Sequence, residues 1–65
     1  MKNLNFVNKK VNRLEKALDR LEKNQYSELS LDYISNQISW LWKFRYIKHD
    51  KMEELADRVI NLYER

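Results

Sequence analysis

The run Ile38-Ser39-Trp40-Leu41-Trp42-Lys43-Phe44-Arg45-Tyr46-Ile47 decides the fold. Its four aromatic residues, Trp40, Trp42, Phe44 and Tyr46, alternate with other side chains and supply half of the eight aromatics in the 65-residue chain. On a strand, where successive side chains point to opposite faces, all four would share one face. On a helix, turning by about 100° per residue, they spread over more than half the circumference. The rest of the chain chooses between the two. It has no Gly, no Pro and no Thr, so the hairpin turns that use positive φ and the β-branched runs that favour strands are scarce. No second segment offers a partner for a strand at 38–47, and a lone strand leaves its backbone groups unpaired unless another chain supplies the pairing. The predicted fold class is therefore all-α.

Before this run, Leu4, Val7, Val11, Leu14, Leu18 and Leu21 recur at alternating steps of three and four, the seam of an amphipathic helix. A first helix is predicted over about 4–24, ending before the polar connection Tyr26-Ser27-Glu28. Ser30 has the position and chemistry of an N-cap, with Asp32 in the first turn and Leu29 placed to staple against Ile34. The second helix is predicted over about 31–48, ending among Lys43, Arg45, Lys48 and His49, because cations suit a helix C-terminus. Asp50-Lys51-Met52-Glu53 has the spacing of a capping box, and Met52, Leu55, Ala56, Val59, Leu62 and Tyr63 fall on one face. A third helix is predicted over about 51–64 on that basis. Against a break, Ile34, Ile38, Leu41, Arg45, Lys48, Met52, Leu55, Val59 and Leu62 hold one heptad register throughout. The reading is a small three-helix bundle, a single domain over residues 1–65, with a hairpin containing one long second helix as the alternative.

A chain of this size buries only about 60% of the surface it exposes when unfolded. With no Cys and one His, His49, neither a disulfide nor a metal can staple it, which leaves a homo-oligomer as the expected support. No signal-peptide pattern or membrane-length apolar run is present, so the expected location is cytoplasmic, without membrane association. Lys and Asn bias and small size point to a bacterial or phage origin. Enzymatic chemistry is not expected. His49 has no Ser, Cys or carboxylate arrangement around it that spacing can specify, Glu53 and Glu54 point apart, and the Glu-x-x-His pairs of a di-metal bundle are absent. No cofactor, metal or small-molecule substrate is anticipated.

Function then falls to surfaces. The second helix is apolar over a wide arc from Ile47, Trp40 and Tyr33 to Leu31 and Trp42, broader than one neighbour can cover. Helices 1 and 3 are expected to cover most of it. Trp40 and Trp42 point about 200° apart, so one of them, with Tyr46 or Ile47, is expected to anchor a partner. Arg45 lies inside the same arc, which predicts a salt bridge to helix 1 or 3 or, less simply, a grip on a partner's anion. The candidate protein-binding residues are Trp40, Trp42, Arg45, Tyr46 and Ile47.

A second surface belongs to helix 1. Residues 1–24 carry seven cations against three acids, whereas the remainder has six against seven. Lys9, Arg13, Lys16, Arg20 and Lys23 form a row opposite the apolar seam, and Glu15, Asp19 and Glu22 gather on one flank. The row spans about 21 Å at 1.5 Å per residue, enough to follow several phosphates. Phe6 shares its side, and Asn3, Asn5, Asn8 and Asn12 add groups able to bond bases or phosphates. A merely solvated outer face gives the same pattern.

The segment Leu21-Glu22-Lys23-Asn24-Gln25-Tyr26-Ser27-Glu28-Leu29-Ser30 is similar to the helix junction of the small helical Hha and YmoA group of nucleoid-associated regulators. The likeness covers these ten residues with a one-residue insertion, and no family assignment is taken from it. The sequence alone leads with a non-enzymatic interaction protein, a regulator, inhibitor or assembly factor docking its aromatic surface on a protein partner. A nucleic-acid-binding accessory protein using the helix 1 cations is the alternative.

Overall fold

The computed structural model describes residues 4–65, and for Leu4 the backbone only. Three helices follow one another, α1 (Leu4–Glu22), α2 (Leu31–Lys43) and α3 (His49–Tyr63), with no strand among the described residues. The three-helix reading holds over the hairpin. α3 packs against both α1 and α2, in a body measuring 38 × 19 × 16 Å.

The heptad seam of α1 becomes the core as its spacing requires. Val7, Val11, Leu14 and Leu18 are buried with Ala17, and they meet Ile34, Ile38 and Leu41 of α2, Leu55 and Val59 of α3, and Ile47 from the connection between these two helices. Leu14, Leu18, Ile34, Leu41 and Leu55 are the largest fully buried side chains. Leu21, Leu29, Leu31, Met52 and Leu62 pack around them, half-buried.

α1 stops at Glu22, two residues before its predicted end. Asn24 takes a left-handed conformation with φ 58°, its N–H donates to the Leu21 carbonyl at 3.1 Å, and the Gln25 N–H reaches back to Arg20 at 2.7 Å. This is a Schellman motif, with Asn doing what Gly usually does. α2 begins as predicted. Ser30 Oγ accepts from the Tyr33 N–H at 3.1 Å, and both Leu29 and Ile34 join the core cluster.

The end of α2 corrects the sequence reading. The helix ends at Lys43 and not near residue 48, because Arg45 adopts φ 61° and closes a second Schellman motif. The Arg45 N–H donates to Trp42 at 3.0 Å, and the Tyr46 N–H donates to Leu41 at 2.8 Å. A continuous helix would have carried Arg45 and Lys48 in the seam. The left-handed break places both on the surface and turns Ile47 into the core in their stead. Arg45 is thus exposed instead of lying within the apolar arc, with its guanidinium 4.5 Å from the Trp42 ring.

α3 begins at His49, two residues earlier than predicted. Lys48 is the N-cap, without a side-chain cap bond, and the Met52 N–H donates to the Lys48 carbonyl at 2.9 Å. The Asp50–Glu53 spacing is therefore not a capping box. Asp50 lies within the first turn, where its charge favours the helix dipole. The helix ends at Tyr63, one residue before its expected end.

Candidate functional site: an aromatic and cationic face

Trp40 sits near the exposed end of α2, and the break at Arg45 folds the following aromatics back over it. Its ring stacks on Tyr46 with centroids 5.2 Å apart and planes 17° apart, and meets Phe44 at 5.2 Å with a tilt of 49°. From α1, Lys10 places Nζ 5.8 Å from the Trp40 ring and 5.8 Å from the Phe6 ring. Cations are attracted to ring faces at this range. Phe6, Trp40 and Phe44 remain 52%, 38% and 51% exposed, so the cluster faces outward despite its internal stacking.

Trp42 belongs to another side. It is half-buried, with His49 edge-on at 5.5 Å and the Arg45 guanidinium 4.5 Å from its ring. Of the residues expected to bind a protein, Trp40 and Tyr46 are thus brought together, Trp42 and Arg45 form a separate pair, and Ile47 is 9% exposed in the core.

The charges of α1 are sorted by α3. Arg58 Nε and Nη2 donate to the two carboxylate oxygens of Glu22 at 3.0 and 2.8 Å, and Nη2 also reaches Asp19. Lys51 bonds Glu15 at 2.7 Å and Glu54 at 2.8 Å. The Arg58 hydrogen bond holds the Glu22 carboxyl below its ordinary pKa, partly opposed by desolvation, and the bond to Glu15 pushes the Lys51 ammonium up. Arg65 adds a contact to the free carbonyl end of α1, donating to Glu22 O at 3.0 Å. All three acids of α1 are therefore engaged by α3.

The basic row has no such match. Lys9, Arg13, Lys16, Arg20 and Lys23 are all exposed, and among the described residues none of them is in an ion pair. Beside them run three shallow depressions. The first, about 190 Å³, is flanked by Phe6, Lys9, Lys10, Arg13 and Tyr33. Arg13, Lys16 and Arg20 border the second, about 170 Å³, together with Glu28, and Lys16, Arg20 and Lys23 border the third, about 230 Å³, together with Asp19. Neighbouring depressions share residues, so they form one path along α1 that reaches the aromatic cluster at Phe6 and Lys10. Asn8 and Asn12 lie elsewhere, on an open cleft of about 820 Å³ between α1 and the start of α3. Asn3 falls outside the described residues.

No protein-family model matches this chain, and no curated protein or solved structure matches it.

His49 Nε2 lies 3.3 Å from Glu53 in an exposed pair one helical turn apart, and no group of three metal-ligating side chains occurs among the described residues. No helix there is long and apolar enough to cross a membrane. Sequence reasoning placed Phe6 beside the basic row and Phe44 in the aromatic arc but missed Lys10 as the residue joining the two surfaces. Phe6 and Lys10 stand four apart on α1, and Trp40 and Phe44 four apart at the end of α2. Those two pairings can be read from helical period, whereas the contact between them is tertiary and leaves no local mark.

Proposed function

We propose that this chain is a non-enzymatic nucleic-acid-binding accessory protein whose working face joins the α1 cations to the Phe6–Trp40–Phe44 cluster. One observation carries the reading. The acids of α1 are taken up by Lys51 and Arg58 while, among the described residues, Lys9, Arg13, Lys16, Arg20 and Lys23 have no ion-pair partner, so a line of exposed cations faces solvent. A polyanion with regularly spaced charges complements such a row, and counterion release drives its binding. Nucleic acid also goes with a cytoplasmic location. The test is affinity for DNA as a function of salt in the parent and in Arg13→Glu/Arg20→Glu. Binding that falls steeply with salt and disappears in the double variant supports the reading; no binding at roughly 50 mM salt overturns it.

Docking on a protein partner is the second reading, and the exposed Trp40 favours it, since Trp is enriched where interfaces concentrate their energy. In that case Trp40→Ala severs a partner complex that Arg13→Glu/Arg20→Glu leaves in place. Self-association belongs to the proposal as well. It is supported by exposed Ile60 and Tyr63, which line a groove of about 310 Å³ beside Trp42, away from the basic row. Sedimentation at micromolar concentration tests it, and a monomer overturns it.

A further inference from the structure

We infer that the nucleic acid taken by this face is single-stranded, its phosphates following Lys9, Arg13, Lys16 and Arg20 and its bases meeting the rings of Phe6, Trp40 and Phe44. The inference rests on the nucleic-acid reading above and adds the state of the strand.

Cations alone would serve a duplex as well as a single strand, because both present phosphates. The aromatics distinguish them. Base faces are hidden inside a duplex stack, whereas a single strand can lay them on protein rings, which is how sequence-tolerant single-strand binders gain affinity. Here Phe6 lines the depression at one end of the cationic path, Trp40 stands across the Lys10 ammonium from it, and Phe44 lies against Trp40, the three rings being 52%, 38% and 51% exposed. Trp40 stacks nearly parallel to Tyr46, so a base resting on its exposed part would extend an existing stack. The rings offer a duplex little, since its outer surface is phosphate and sugar.

Shape argues the same way. The three depressions share Arg13, then Lys16 and Arg20, and follow the flank of α1 in series. A flexible strand can settle from one to the next. A duplex, with a persistence length of about 50 nm, is a stiff rod on the scale of this molecule and would touch a single convex helix only along a short arc.

The test uses the full chain with fluorescein-labelled oligo-dT of roughly 20 nucleotides, longer than the ~21 Å row, a duplex of the same length, and poly-glutamate as a competitor. Anisotropy titrations run from about 50 to 200 mM salt. Oligo-dT is expected to bind more tightly than duplex, with a log–log salt slope near −3 if four or five phosphates are contacted at about −0.7 each. Phe44→Ala and Trp40→Ala are each expected to weaken oligo-dT binding by roughly 5- to 150-fold, the range of one lost base stack, with little effect on duplex binding. Phe44 is the more exposed of the two, so its variant answers the question even where Trp40→Ala loses helicity by circular dichroism. Duplex bound as tightly as oligo-dT, or an unchanged affinity in folded Phe44→Ala, overturns the single-strand inference and leaves the nucleic-acid reading standing. If neither DNA binds, or poly-glutamate competes as well as unlabelled oligo-dT, both fall and an acidic protein segment becomes the better ligand.

Discussion

Arg58 holds Glu22 through both carboxylate oxygens, Nη2 to Oε1 at 2.8 Å and Nε to Oε2 at 3.0 Å, across 36 residues of sequence. A two-pronged bond of this kind fixes orientation as well as distance. It therefore sets how α3 lies along α1 while it withdraws an acid from the neighbourhood of the basic row. One contact serves the fold and the charge pattern together.

Arg58→Ala should lower stability by about 1 kcal/mol. Hydrogen bonds to charged groups contribute more than this when buried, but the Glu22 side chain is 34% exposed and solvent screens the pair. The loss should depend on pH. Because the bond holds Glu22 below its ordinary pKa of 4.5, its contribution is fully present above that value and disappears as pH falls through the lowered one. Urea melts of parent and variant should differ at neutral pH and converge in acid, once the Glu22 carboxylate is protonated. An equal gap at both pH values would mean that Arg58 acts through packing.

Leu18→Asp should abolish folding, whereas Lys16→Ala should leave the thermal midpoint nearly unchanged. Leu18 is 0% exposed at the centre of the core, and a carboxylate there finds no partner. Lys16 is exposed on the opposite side of the same helix. Circular dichroism decides between them, and a Leu18→Asp protein that melts like the parent would place the core on the wrong face of α1.

Arg45→Gly should stabilise the protein and Arg45→Val should destabilise it. At φ 61° a side chain with a Cβ pays a steric penalty of order 1 kcal/mol, and a β-branched one pays more. The gain from Gly is partly offset by loss of the guanidinium over Trp42 and by the greater freedom of Gly in the unfolded chain. The thermal midpoint should rise by a few degrees for Gly, on the scale of about 4–8 °C per kcal/mol for small domains. A lower midpoint for Gly would assign the Arg45 side chain a larger structural role than its exposure implies.

The seam of α1, the Ser30 cap and the three-helix class were legible because each is written within one or two turns of sequence. The end of α2 was not. Nothing near Arg45 resembles a Gly stop signal, and the heptad register runs through it. What breaks the helix is the gain from turning Ile47 into the core while Arg45 and Lys48 go to water, a tertiary preference that overrides local pattern. The same limit applies to the candidate site. The row from Lys9 to Lys23 and its acidic flank could be read from the helical wheel, but the sequence could not show that Lys51 and Arg58 would consume those acids. Nor could it show that Lys10 would lie against Trp40.

That consumption leads to the last prediction. Arg58→Ala leaves Asp19 and Glu22 uncompensated on the helix that carries Lys16, Arg20 and Lys23, although Arg58 itself stands outside the row. Two charges about 8 Å apart in water interact by roughly 0.5 kcal/mol, so two released acids should oppose a phosphate by about 1 kcal/mol before screening. Oligo-dT affinity should therefore fall about three- to fivefold at roughly 50 mM salt, and the difference should shrink toward 200 mM, where the Debye length is well under 10 Å. Arg58→Lys restores a positive charge without the two-pronged geometry. It should recover most of the affinity but only part of the stability, which separates the electrostatic role of Arg58 from its structural one. The measurement is anisotropy at a temperature where all three proteins are folded by circular dichroism. Equal affinity of parent and Arg58→Ala across that salt range would show that the acids of α1 do not shape its field, and the reason given for the row's availability to a polyanion would fall with it.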